Sequence, residues 1–261
     1  MLSWLRSRRR RAIRDRPFPP AWNDILLRNV KQTQWLDEHQ RERLWEWVAV
    51  FVAEKRFEGC RGMAITDEVR LSIAGQAGIV LLGLPDEFLD PLQSVLVYPG
   101  DYRARKSAVL DGGGELEWQE ARLGETWPGG SMVLSWPRVV DGGRLRDGPR
   151  SVVIHECAHA VDMLDGDADG IPPLASPRER REWVAQIAEC RERFEEALDE
   201  GRSVAFDDYA AESPGEFFAV ASECFFQDPH RLFRHDKTLY GLLAGVWRQD
   251  PKDRVPMQRG R

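Results

Sequence analysis

Between Ser151 and Gly166 the chain reads SVVIHECAHAVDMLDG, placing two histidines and a glutamate at H-E-x-x-H spacing inside an otherwise apolar run. Such a run folds as a helix that seeks burial, and it carries its polar groups inside with it. Left without partners there, those groups would cost on the order of a few kcal/mol. Any fold built around the segment must therefore bring something to them. Residues four apart stand one turn above each other on a helix, so His155 and His159 can converge on a single ion. Glu156 lies about 100° round from His155, within reach of a water at that ion without being a ligand. Zinc lowers the pKa of such a water to near 7, and a glutamate in this place can take its proton while a polarised carbonyl is attacked. The spacing makes His155 and His159 candidate zinc ligands and Glu156 a candidate general base for hydrolysis.

The rest of the chain has the means to bury this helix. Its 261 residues, 42% of them apolar and ten of them tryptophan, suffice for one large or two modest domains. Apolar residues recur at helical spacing from Trp35 to Gly59, with Leu44, Trp47, Val48, Phe51 and Val52 on one face. A second helix is expected from Thr66, a suitable N-cap, to Gly83, packed against the first. The character then changes. From Pro85 to Trp136 the β-rich stretches SVLVYPGDY and SMVLSWPRVV flank a segment punctuated by glycines. This predicts a small mixed or antiparallel sheet just upstream of the H-E-x-x-H helix, with SMVLSW offering a backbone edge to an extended peptide. Downstream, Trp183, Ile187, Cys190, Phe194 and Leu198 form one stripe, and ESPGEFFAVASECFFQDP forms another helix bounded by Ser213-Pro214 and Asp228-Pro229. The fold class is α+β and mainly helical. A single domain is expected over residues 17–250, between a flexible arginine-rich tail over 1–16 and a loose tail over 251–261.

A formal charge of −6 argues against a general nucleic-acid binder, which needs a basic surface. The exception is the start of the chain, where MLSWLRSRRRRAIRDR sets seven arginines against Asp15. Arginines interrupt it too early for a secretory signal. A solvated tail is the plain reading, and Trp4, Leu5 and Ile13 supply the alternative of contact with an acidic membrane or partner. No run of about 18 apolar residues is present to span a bilayer, and the four cysteines are scattered without a C-x-x-C pair. The expected location is the cytoplasm.

A catalytic zinc site needs a third protein ligand. Asp165 occupies the slot of the H-E-x-x-H-x-x-G-x-x-H/D pattern, but that pattern turns at a glycine and the chain has Asp162 there. Asp162 itself reads as a partner that holds an imidazole by its other nitrogen, or as a solvated acid. His39, His230 and His235 fall in charged, surface-like stretches. Glu212, Glu216 and Glu223 remain, around the helix after Ser213. Glu212 precedes the Ser-Pro break, Glu216 fits a capping box with Ser213, and Glu223 lies two turns on along the same face. Spacing does not choose between the last two.

Taken with DYAAESPGEFFAVASECFF, VLVYPGDY and MVLSWPRVV, the H-E-x-x-H segment resembles the Mlc titration factor A family of zinc metallopeptidases, from about Pro17 to Pro251. The resemblance implies a zincin-like fold of gluzincin type. It carries the two histidine ligands onto His155 and His159, the base onto Glu156, and the third ligand onto Glu216, leaving Glu223 behind the site. The active site of this family is similar to that of the anthrax lethal factor catalytic domain, whose zinc-facing tyrosine precedes the ligating glutamate by seven residues; Tyr209 stands there, and the likeness implies a hydrogen bond to a developing oxyanion. It further implies one catalytic zinc ion, aminopeptidase-like hydrolysis of peptide substrates, and binding of an Mlc-like transcriptional repressor that governs sugar uptake. Sequestering such a repressor, with peptidase activity secondary, is the alternative function.

Overall fold

The structure is a computed structural model. It describes residues 2–88, 90–109, 115–122, 124–127, 130–146 and 148–257, with only the backbone course for 2–3 and 102–127. Helix α1 (Leu2–Arg14) is followed by α2 (Pro20–Asn29) and α3 (Glu38–Glu54). A reciprocal capping box between Asp37 and Gln40 starts α3, which buries Leu44, Trp47, Val48, Val50 and Phe51. It stops short of Gly59 because Arg56–Gly59 extends into strand β1. Helix α4 (Asp67–Leu81), capped by Thr66, is buried on nearly every side. As expected it packs on α3, where Gly78 makes room: a Cβ there would lie 2.4 Å from Leu44 Cδ1.

Of the two arrangements expected for the sheet, the antiparallel one is not found, and the strands are mainly parallel with one antiparallel addition. Strands β1, β2 (Ser94–Tyr98) and β6 (Ser131–Ser135) run parallel, with Val95 opposite both Phe57 and Met132. Helix α4 is the crossover between β1 and β2, and a crossover of this kind returns the chain in the same direction. The segment with the glycines forms its own antiparallel ribbon from β3 (Tyr102–Val109) and β4 (Glu115–Arg122), outside the sheet. Only β5 (Gly124–Trp127) joins the sheet antiparallel, beside β6, giving the order β1-β2-β6-β5. One consequence concerns SMVLSW. Strand β6 is paired on both sides, so the edge expected there belongs to β5.

The amino-terminal segment is also not the flexible tail that its charge predicts. Arg6, Arg10 and Arg14 recur every fourth residue on one face of α1 and meet acids far away in sequence. Arg10 is 5% exposed and donates to Glu54 at 2.6 Å, Asp90 at 2.5 Å and the Asp86 carbonyl at 2.9 Å. Arg6 pairs with Asp90, and Arg14 with Asp86. At the other end, Pro251 and Val255 are buried and His230 Nε2 donates to the Val255 carbonyl at 2.8 Å, so residues 251–255 pack on the body.

The later helices enclose the site. Helix α5 (Trp136–Gly143) leads to α6 (Val152–Asp162), with Ser151 as N-cap. Helices α7 (Pro177–Asp199), α8 (Pro214–Gln227), α9 (Pro229–His235) and α10 (Lys237–Trp247) follow. Helix α8 lies at the centre, buried from Phe217 through Gln227, and packs along α6. Buried Gln76 of α4 ties the layers together, donating to Val139 O at 2.9 Å and accepting from Ser151 Oγ at 2.8 Å. Satisfying a buried amide in this way fixes where α6 begins. Among the described residues, no helix is long and apolar enough to cross a membrane.

Candidate metal centre

Helix α6 presents the imidazoles of His155 and His159 on one face, their rings edge to face with centroids 4.7 Å apart. The two Nε2 atoms lie 3.1 Å from each other. Helix α8 delivers Glu216 to the same point, with Oε2 3.1 Å from His155 Nε2 and Oε1 3.4 Å from His159 Nε2. One donor atom from each of the three residues fits within 4.8 Å of the others. The capping-box reading of Glu216 is half right. Ser213 Oγ accepts from the Glu216 backbone N–H at 3.1 Å, and the glutamate side chain points to the histidines.

These donors fit a divalent cation on the chemistry they leave unfinished. Glu216 Oε2 is buried without a hydrogen bond, although His155 Nε2 is close by, because the two are not aligned for one. Two ring nitrogens and a carboxylate converging at 3.1–3.4 Å match the spacing that tetrahedral coordination at about 2.0–2.2 Å imposes. Electrostatics agree. Burial opposes charge on His155, yet the carboxylates of Glu216, close to Nε2, and Glu223, bonded to Nδ1, outweigh it and hold the imidazole pKa well above its usual value. Burial likewise opposes charge on Glu216, and the two histidines overcome it, holding this carboxyl far below the carboxylate range. The carboxylates around the histidines thus favour positive charge at this point. The side chains of His155, His159 and Glu216 are 15%, 15% and 20% exposed, so the site opens to solvent.

Glu223 stands behind the histidines. Its Oε1 accepts from His155 Nδ1 at 2.9 Å, and its Oε2 accepts from the Ser151 backbone N–H at 2.5 Å. With the proton held at Nδ1, Nε2 presents its lone pair to the site. One buried carboxylate therefore satisfies the start of α6 and sets the tautomer of its first histidine. A glutamate two turns after Glu216, flanked by Ala221, Cys224 and Phe225, was the legible sign that such a partner exists. Glu223→Gln keeps an acceptor but loses the charge, and is expected to weaken affinity for a divalent metal ion about tenfold. Competition with a chromogenic chelator measures this, and unchanged affinity would contradict the role.

Asp162, the other candidate for orienting an imidazole, does something else. Its Oδ2 accepts from Gly170 N at 2.9 Å, its Oδ1 is buried without a partner, and burial pushes its pKa up to about 6. Gly170 has φ +75°, a left-handed conformation suited to glycine, and a Cβ there would lie 2.5 Å from Pro214 O. Asp162 thereby clamps the loop after α6 against the start of the helix that carries Glu216. Asp165 pairs with Arg180 at 3.2 Å, away from the site. His39, His235 and Glu212 are exposed.

Glu156 is buried on α6 beside His155. Tyr209 lies in a 3-10 turn, Asp208–Ala211, just ahead of α8, and its ring centroid is 6.4 Å from that of His155. Asp207 caps this turn and pairs with Arg150, the residue before the α6 cap, so the segments that lead into α6 and α8 are tied together. Tyr209 is 41% exposed, at the open side.

The sequence pattern of the glucose-regulated metallo-peptidase M90 family matches residues 4–248. The chain belongs to that family. This M90 protein is 33% identical over 245 residues to the uncharacterized protein slr2042 of Synechocystis, covering 93% of the chain and 89% of the relative. It is 30% identical over 239 residues to Mlc titration factor A of Yersinia pestis, covering 90% and 86%, and equally to that of Yersinia pseudotuberculosis. The match to Mlc titration factor A agrees with the resemblance seen in the sequence motifs. The M90 match spans every residue of the centre, and α1 from Trp4 onward.

Proposed function

We propose that this M90 protein is a zinc-dependent peptidase of the gluzincin type, with aminopeptidase-like activity on peptides. The observation that carries the reading is the convergence of His155, His159 and Glu216 across two packed helices, with His155 held by Glu223. A zinc ion held there supplies Lewis-acid polarisation of a peptide carbonyl and acidifies water. Glu156 takes the proton from water and passes it to the leaving amine. Tyr209 donates its hydroxyl proton in a hydrogen bond to the oxygen that gains charge. Strand β5, which packs against α6 and has no strand paired on its outer side among the described residues, supplies backbone groups for an extended peptide. The cytoplasm is the compartment we assign, supported by four unpaired cysteines, three of them buried.

A second reading follows from the name of the Yersinia relatives: capture of an Mlc-like transcriptional repressor, with hydrolysis secondary. Chelation tests the first. Stripping metal from the purified protein is expected to abolish hydrolysis of aminoacyl chromogenic amides, and stoichiometric zinc to restore it. Full turnover after chelation contradicts the peptidase reading.

A further inference from the structure

Helix α1 has two faces with different tasks. Arg6, Arg10, Ile13 and Arg14 face the body, where Arg10 and Ile13 are buried and the three arginines are matched by Glu54, Asp86 and Asp90. At 100° per residue, Trp4, Leu5, Arg8, Arg11 and Ala12 fall on the opposite side of the helix, with Arg9 flanking them, and these, like Arg16 just past the end of the helix, are exposed. Trp4 is 63% and Leu5 53% exposed, two large apolar side chains side by side on the same face. The Arg8 guanidinium lies over the Trp4 ring, 5.7 Å from its centroid. Among the described residues no carboxylate pairs with Arg8, Arg9, Arg11 or Arg16, and Asp15 is the one acid on that side.

We propose that α1 is an interfacial anchor that lays its outer face on an anionic lipid surface while its inner arginine stripe holds the helix to the body. The composition fits that occupant. Arginines attract anionic headgroups, and an amphipathic ring beside an aliphatic side chain inserts at the boundary between headgroups and acyl chains. The whole chain has a formal charge of −6 even though α1 contributes six arginines and no acid, so the remainder is strongly acidic and α1 is the segment whose charge favours an anionic surface. That sets an orientation as well as an affinity. A nucleic acid would use the arginines but has no use for Leu5, whose exposure a lipid surface relieves. Helix α1 is too short and too charged to span a bilayer, so contact is peripheral.

The test is co-sedimentation of the full chain with phosphatidylcholine vesicles, either pure or doped with phosphatidylglycerol. Binding is expected to the doped vesicles only. The triple variant Arg8→Ser, Arg9→Ser, Arg11→Ser should lose on the order of a hundredfold in affinity, about fivefold per arginine. The double variant Trp4→Ser, Leu5→Ser should lose about tenfold and retain no binding at high salt. Both variants keep Arg6, Arg10 and Arg14, and an unchanged thermal midpoint shows that the body is intact. The proposal is overturned if wild-type protein ignores doped vesicles or binds both kinds equally. It is also overturned if the Trp4/Leu5 variant sediments like wild type, or if a single-stranded RNA binds the same arginines more tightly than vesicles do.

Discussion

Replacing Glu156 with Gln is expected to lower kcat for peptide hydrolysis by about 10²–10⁴ while the protein keeps its zinc. The side chain is buried on α6 one residue after His155, so an isosteric amide preserves packing. What it loses is a proton acceptor. In the proposed site the metal ligands are His155, His159 and Glu216, so metal content should be unaffected even as turnover collapses. Steady-state kinetics and metal analysis of the same preparation check both halves. Turnover within tenfold of the wild type would rule Glu156 out as the base.

Replacing Glu216 with Ala should have the opposite signature, with zinc lost first and activity following. It removes the carboxylate from between His155 Nε2 and His159 Nε2, leaving two imidazoles 3.1 Å apart with no anion to complete the site. The loss of affinity should exceed the ~100-fold upper end expected for an outer hydrogen-bond partner. Glu223→Gln supplies that comparison within the same helix. If Glu216→Ala retained zinc and Glu223→Gln lost it, the two glutamates would have exchanged roles. The fold should tolerate the change, since Glu216 sits at the first turn of α8 and Ser213 still caps it.

What could be read in advance follows from the range of the interactions. The helix carrying His155, Glu156 and His159 was legible because its periodicity, cap and ligand spacing all lie within sixteen residues. The exclusion of Asp165 rested on a local feature too, the missing glycine at position 162. Glu216 and Glu223 could not be ranked by spacing, since both share a face of α8 and the distinction depends on how α8 packs across α6. Motif resemblance pointed to Glu216, and the geometry now puts its carboxylate between the histidines. Where pairing is long-range, local signals misled. Glycines around β3 and β4 left a mixed and an antiparallel sheet equally open, and it is α4, a helix upstream, that makes the central strands parallel. All seven arginines at the start read as solvated, although three of them are not, because the partners of Arg6, Arg10 and Arg14, namely Asp90, Glu54 and Asp86, lie 44 to 84 residues away. Asp162 is a similar case. Its clamp on Gly170 depends on a left-handed backbone that no single residue announces.

The central claim is that one zinc ion is held jointly by α6 and α8. Anomalous scattering at the zinc edge from crystals of the wild-type protein tests it most directly. A single strong peak is expected within bonding distance of His155 Nε2, His159 Nε2 and a Glu216 carboxylate oxygen, with Glu223 still on His155 Nδ1. A peak ligated by Glu223 or Asp162 in place of Glu216, or none between the two histidines in protein grown with zinc, would contradict it.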